Sequence, residues 1–455
     1  MHDTAMDNTG GKRMTGTTSG QVEAPFHLPP VLLPQADNLT WTAHAPAHRP
    51  ALPWRRITLN ALLIWAITRV AFIALTYMAA GLPQAKPIPG AGFFSVWQRW
   101  DTNWYLGIAQ QGYAIPQQVG FFPVYPLLIR LVSFPLGGNT LLAALLVSNL
   151  STLLALIGLG ALATWEARDE GIAVRAMILM LAFPFAFYLT AAYTEGLFIA
   201  IVAFCLLYAR QGRWGFTPLL VLLAGATRPT GVVLVLPLAW EWLRQNGLLE
   251  RSLWRPLFQR RDGGALKQLG DELRERALIA IRRTWPGLAS LVMIPGFYLL
   301  FMAFVGLRFG HPLLVFNVHR DYWGAVSEPI WTSLAREISN LALTPYASLD
   351  QVTMVLDLVT IAVVTVAIVI LWRSTPGMYN IYMLCLLYVA MAEPSVTNIR
   401  VLQSPGRYLL PAIPIFIVLS GKLERRPALA GALVTLGCIL QCYIGLRFLT
   451  GSLLD

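Results

Sequence analysis

Ten apolar stretches set the limits on what this chain can fold into: residues 57–80, 139–163, 173–192, 195–210, 215–243, 285–306, 352–373, 378–393, 405–421 and 427–449. A helix rising about 1.5 Å per residue needs about 20 apolar residues to cross a hydrocarbon core of about 30 Å, which is the length of most of these runs. A transmembrane barrel would instead need short strands of alternating polarity. With 56% hydrophobic and 13% charged residues among 455, the chain is too apolar for a water-soluble globule. The fold class expected is therefore an all-α polytopic integral membrane protein.

The formal net charge of +11 comes from 30 Arg and 4 Lys, gathered in short segments between the apolar runs. Such placement serves membrane orientation and argues against nucleic acid as a partner. The excess of Arg over Lys points to a bacterial genome rich in G and C, hence a bacterial cytoplasmic membrane; in a eukaryote the expected membrane is that of the endoplasmic reticulum. Residues 1–52 have no apolar period and read as a disordered cytoplasmic tail, leaving 53–455 as the membrane domain. The run 215–243 is interrupted by Thr227, Arg228, Pro229, Thr230 and Gly231. Counted as one pass, it would put the basic segment 244–284 on the same side as the first loop, against the positive-inside rule. Counted as two half-length helices of about 21 Å each, it puts that segment inside. Eleven spans with an outward C-terminus are expected, with 81–138, 307–351 and 394–407 facing outward.

Residues 97–108 read as an amphipathic helix at the membrane interface, with Trp97, Trp100, Asp101, Trp104, Tyr105 and Ile108 on one face and Gln98, Arg99, Thr102 and Asn103 on the other. A carboxylate among aromatic rings is costly unless it has a partner or a task, so Asp101 is either paired, with Arg99 for instance, or functional. Glu195 opens the fourth apolar run, where it can cap a helix or orient a substrate. His319, Arg320, Asp321 and Tyr322 form a polar cluster in the large outward segment. Cys205, Cys385, Cys438 and Cys442 all lie in apolar runs and suggest packing, with no disulfide. No outward carboxylate pair or His cluster has the spacing of metal ligands, and no cofactor is expected.

The strings RWDTNWYLGIAQQGY from Arg99, FFPVYPLLIRL from Phe121, FYLTAAYTEGLF from Phe187, ATRPTG from Ala226 and SPGRYLLPAIP from Ser404 together resemble the PIG-V mannosyltransferase family. The resemblance implies a GT-C fold and a glycosyltransferase that takes its sugar, mannose by analogy, from a polyprenyl or dolichyl phosphate. It implies that Asp101 is the essential Asp of the first outward loop. Many relatives carry His shortly after that Asp, where this chain has Asn103 and Trp104. An acceptor hydroxyl on a glycolipid or glycan must lose a proton as it attacks the anomeric carbon, and Asp101 is the candidate base. A single displacement inverts the anomeric centre. The departing phosphate calls for cations placed in advance, for which Arg228 and Arg407 are the candidates. Trp100, Tyr105, Glu195, His319 and Arg320 are candidates for substrate contact. Two other readings fit many spans and intramembrane charge: a flippase or transporter of lipid-linked sugars, and a protein glycosyltransferase of the same class.

Overall fold

The computed structural model describes residues 51–86, 90, 92–250, 253, 263–346, 348–392, 394–395 and 398–452. The expected tail, apart from residues 51 and 52, lies outside them. Among the described residues the chain is helical with no strand, only an isolated bridge between Ala325 and Ser395. Five helices are long and apolar enough to cross a membrane, and shorter apolar helices pack among them, so this is a multi-pass membrane protein. In order they are α1 (Trp54–Ala80), α2 (Asp101–Gln111), α3 (Val124–Ser133), α4 (Thr140–Ala167), α5 (Glu170–Leu181), α6 (Glu195–Arg210), α7 (Thr217–Thr227) and α8 (Val235–Gln245). There follow α9 (Gly263–Phe309), α10 (Leu314–Trp323), α11 (Ile330–Leu343), α12 (Leu349–Leu371), α13 (Gly377–Ala392), α14 (Pro405–Leu409), α15 (Ile413–Lys422) and α16 (Pro427–Thr450).

The core sits around α4 and α6. Their close approach rests on small residues, as expected where lipid gives helices no hydrophobic reason to associate. A Cβ on Gly196 would lie 2.8 Å from Thr152 Oγ1 and 3.0 Å from the Ser148 carbonyl oxygen.

The run 173–192 is not one helix. Pro184 removes an N–H and disfavours helical geometry at Phe183, so α5 stops at Leu181 and residues 182–194 are buried turns around a 3-10 helix, Ala186–Leu189. Irregular backbone at this depth must find partners within the protein. Thr152 Oγ1 donates to the Leu189 carbonyl at 2.6 Å and Ser148 Oγ to that of Tyr193 at 2.9 Å. Asn149 Nδ2 donates to the Thr190 carbonyl at 3.3 Å, and Gln441 Nε2 to that of Leu181 at 3.0 Å. The polar residues of α4 thus pay out their hydrogen bonds to one segment, which delivers Tyr193, Thr194 and Glu195 to the start of α6.

Arg228 breaks the run 215–243, as its polar residues suggested. α7 ends at Thr227, Pro229–Leu234 form a 3-10 helix, and α8 returns. The return is tight enough that a Cβ on Gly231 would lie 2.7 Å from Ala224 backbone. At the far end Trp214 Nε1 donates to Gln245 Oε1 at 3.0 Å, so the start of α7 and the end of α8 are neighbours and Arg228 is at the hairpin tip. Beside these two ends lies a buried ionic cluster. Arg210 Nε donates to Glu166 Oε1 at 2.6 Å and its Nη1 to Glu241 Oε1 at 3.1 Å, while the Tyr379 hydroxyl donates to Glu166 Oε1 at 2.6 Å.

The basic segment after α8 is not wholly a loop, because residues 263–283 open α9, which kinks at Thr284 (φ −131°, ψ 34°) two residues before Pro286. The run 405–421 is likewise divided, into α14 and α15, with Pro411 and Pro414 at the break. Cys438 and Cys442 lie exposed on the outer surface of α16, not packed in the core.

Candidate active site

The expected helix at 97–108 begins late. Trp97 ends a 3-10 helix, and Trp100 takes φ 50°, ψ −121°, a left-handed conformation that costs a non-glycine residue energy, so α2 starts at Asp101. Its buried face is Thr102, Tyr105, Leu106, Ile108 and Ala109, which puts Thr102 inside where the periodicity had placed it outside. Trp97 and Tyr105, expected as interfacial anchors, are 2% and 5% exposed and belong to the core. Tyr105 packs edge-on against Phe121, Tyr125 and Tyr193, and burial holds its phenol above the usual range, so it stays protonated.

Asp101 does not pair with Arg99. Arg99 donates to the carbonyls of Leu449 at 3.1 Å and Lys86 at 2.9 Å, tying the first loop to the end of α16. The partner of Asp101 is Arg407, whose Nη1 donates to Asp101 Oδ2 at 2.5 Å. The Nε of the same guanidinium donates to Glu195 Oε1, and Arg228 Nη1 donates to that same oxygen. Four charged side chains from four separate parts of the sequence thus form one chain: Asp101, Arg407, Glu195, Arg228. Two carboxylates face two guanidiniums, so the formal charge of the group is zero.

Each member is held from behind. The Asp101 backbone N–H donates to the Tyr193 hydroxyl at 3.3 Å, and Arg228 Nη1 also donates to Thr194 Oγ1 at 3.2 Å. Arg407 lies over the rings of Tyr193 and Tyr188, 4.5 and 5.4 Å from their centroids, and Arg228 over that of Tyr408 at 5.3 Å. Ser404, three residues before Arg407, is left-handed at φ 55°. Asp357 of α12 accepts from Arg400 Nη2 at 3.1 Å, which ties α12 to the segment that leads into α14 and Arg407. Asp101 is 29% exposed and Glu195 fully buried, so the group opens on the Asp101 side. The buried Glu195 Oε2, Trp100 Nε1 and Thr230 Oγ1 have no hydrogen-bond partner among the described residues.

Of the eight residues picked from sequence, Asp101, Glu195, Arg228 and Arg407 come together. Trp100 and Tyr105 adjoin them, and the Lys86 ammonium lies 4.2 Å from the Trp100 ring centroid. His319 sits on α10 against Gly120, with Trp323 linking it to Trp104, while Arg320 is exposed and paired with Asp321 at 3.0 Å. Neither reaches the charged group. Sequence reasoning missed Tyr193 and Thr194, which flank Glu195 in the string FYLTAAYTEGLF. It also missed Asp357, although a carboxylate inside an apolar run is itself a signal.

Residues 90–252 match the sequence model described as Mannosyltransferase (PIG-V), a span that holds Asp101, Glu195 and Arg228. Over 170 residues the chain is 29% identical to GPI alpha-1,6-mannosyltransferase 2 of Mus musculus, covering 35% of this chain and 34% of that protein. Over 146 residues it is 30% identical to the protein of the same name from Rattus norvegicus, covering 30% of each. The match thus spans about a third of the length of these curated relatives. Among solved structures, ArnT from Cupriavidus metallidurans bound to undecaprenyl phosphate aligns with 84% of this chain and 64% of its own, at 15% identity and a TM-score of 0.45. Across residues 90–252, where three of the four charged site residues lie, the chain is similar to the mannosyltransferase (PIG-V) family.

Proposed function

We propose that this protein is a membrane mannosyltransferase of the GT-C type, moving mannose from a polyprenyl or dolichyl phosphate to a hydroxyl of a glycolipid or glycan at the outward membrane face. The observation that carries the reading is the bridging of Asp101 and Glu195 by Arg407, with Arg228 on the far side of Glu195. It supplies a partly exposed carboxylate beside two guanidiniums, the pieces needed to deprotonate a hydroxyl and to receive a phosphate.

In this mechanism the acceptor oxygen attacks the anomeric carbon and gives its proton to Asp101. The bond from that carbon to the carrier phosphate breaks with its electron pair going to the phosphate oxygen, and the configuration inverts. Arg407 and Arg228 meet the charge growing on the phosphate. The zero formal charge of the free site adds a condition. An Asp101 oxygen engaged by Arg407 cannot take a substrate proton on the same lone pair. A donor phosphate competing for Arg407 frees Asp101, so the donor binds before the base is ready. The lipid tail requires only an apolar groove between helices.

The test is to supply protein in sealed proteoliposomes with labelled polyprenyl-phosphate mannose and a membrane extract, then identify the labelled product and the side on which it lies. The reading expects a mannosylated glycolipid or glycan of inverted configuration. Label that crosses the membrane still attached to its carrier would support the flippase instead.

A further inference from the structure

On the face of α10 next to the site, Arg320, Asp321, Tyr322, Trp323, Gly324 and Asn398 enclose an open depression of about 370 Å³. We propose that this depression binds a neutral saccharide, the sugar portion of the acceptor; the proposal rests on the glycosyl-transfer reading above.

The depression is joined to Asp101 by an aromatic ledge. Trp104 lies one turn along α2 from Asp101, stacks on Phe121 with centroids 5.7 Å apart and meets the edge of Trp323 at 6.0 Å. Its other wall is fixed to the loop that leads to Arg407. Gly324 turns the chain at φ 63°, Ala325 bridges to Ser395, and the Val326 backbone N–H donates to the Pro394 carbonyl at 3.0 Å, which sets Asn398 across from Trp323. One wall is thus α10, joined to α2 through Trp323 and Trp104, and the other the segment that leads to Arg407.

The lining suits a sugar better than an anion. Arg320 is paired with Asp321 at 3.0 Å, so the two charges offset each other and leave little field to attract phosphate. A neutral sugar offers C–H faces that pack on an indole and hydroxyls that both donate and accept. Trp323 and Tyr322 supply rings, Asp321 an acceptor, and Asn398 an amide that does both. The donor phosphate has its place at Arg407 and Arg228, and the polar opening beyond Asp101 is left for the acceptor.

Methyl α-D-mannopyranoside is titrated onto the full chain in nanodiscs, followed by saturation-transfer NMR and by tryptophan fluorescence, with inorganic phosphate as the control anion. Undecaprenyl phosphate binding is measured in parallel. The expected result is saccharide binding that falls at least tenfold in Trp323→Ala and in Asn398→Ala, with undecaprenyl phosphate binding unchanged and no response to phosphate. The Asn398 variant guards against misfolding of the Trp323 variant. Saccharide binding that is absent from the wild type, unaltered in both variants, or displaced by phosphate overturns the proposal. The donor reading fails separately, through undecaprenyl phosphate binding that ignores Arg407→Ala.

Discussion

At the scale of single residues, Arg407 is the joint of the charged group, because one guanidinium holds two carboxylates and lies over two tyrosine rings. Arg228→Ala and Arg407→Ala should each weaken binding of a polyprenyl phosphate by about 1.5–3 kcal/mol, the value of a charge-assisted contact. Equilibrium binding in nanodiscs measures it, with Arg407→Lys as the variant that keeps the charge beside Glu195. Unchanged affinity in all three would place the phosphate elsewhere. Strain offers a second handle. Ser404 sits at φ 55°, ψ 53°, so Ser404→Gly should raise stability by about 0.5–1 kcal/mol and leave transfer intact, whereas a β-branched Ser404→Val should lower both. Thermal unfolding midpoints decide this, and a glycine variant less stable than the wild type would contradict it. These charged residues were legible in the sequence because a charge set in apolar surroundings stands out. Their pairing was not, since Asp101 and Arg407 are 306 positions apart and Arg99 is the nearer cation in sequence.

Among the elements, the hairpin of α7 and α8 was legible from Arg228, Pro229 and Gly231, whereas the break after α5 was not. Pro184 was visible, but an apolar segment without periodicity reads equally as helix or buried turn; only the hydroxyls and amides of α4 reveal which. The helix of residues 97–108 was misplaced at its start because Trp100 gives no sign in sequence of a positive φ. The ionic cluster at Arg210 holds α4, α6, α8 and α13 together at the end of α6 opposite Glu195, about 22 Å away at about 1.5 Å per residue. Removing its central cation leaves the buried Glu166 uncompensated, although Glu241 keeps Arg244. Arg210→Met should therefore destabilise the fold by about 3–5 kcal/mol while the fraction that folds keeps its donor affinity. Loss of donor binding with no loss of stability would mean the cluster reaches the site by another route.

For the whole molecule, two buried charged groups mark the two ends of α6: Asp101, Glu195, Arg228 and Arg407 at one end, and Glu166, Arg210 and Glu241 at the other. Arg244 and Gln245 adjoin the second group through Glu241 and Trp214. Single cysteines between Arg244 and Arg283 should therefore be labelled by an impermeant thiol reagent from the side opposite that which labels Asn103→Cys. Labelling of both from one side would remove the opposite placement of the two groups and the expected orientation with it. The central claim is that Asp101 acts on the acceptor proton while Arg407 serves the donor phosphate. Its most direct test is single-turnover transfer from labelled polyprenyl-phosphate mannose by wild type and Asp101→Asn, with donor affinity measured on the same samples. The account predicts a rate lower by about a hundredfold or more, with donor affinity equal to the wild type or tighter, because Arg407 no longer has Asp101 to hold. A folded Asp101→Asn protein that transfers at the wild-type rate would contradict it.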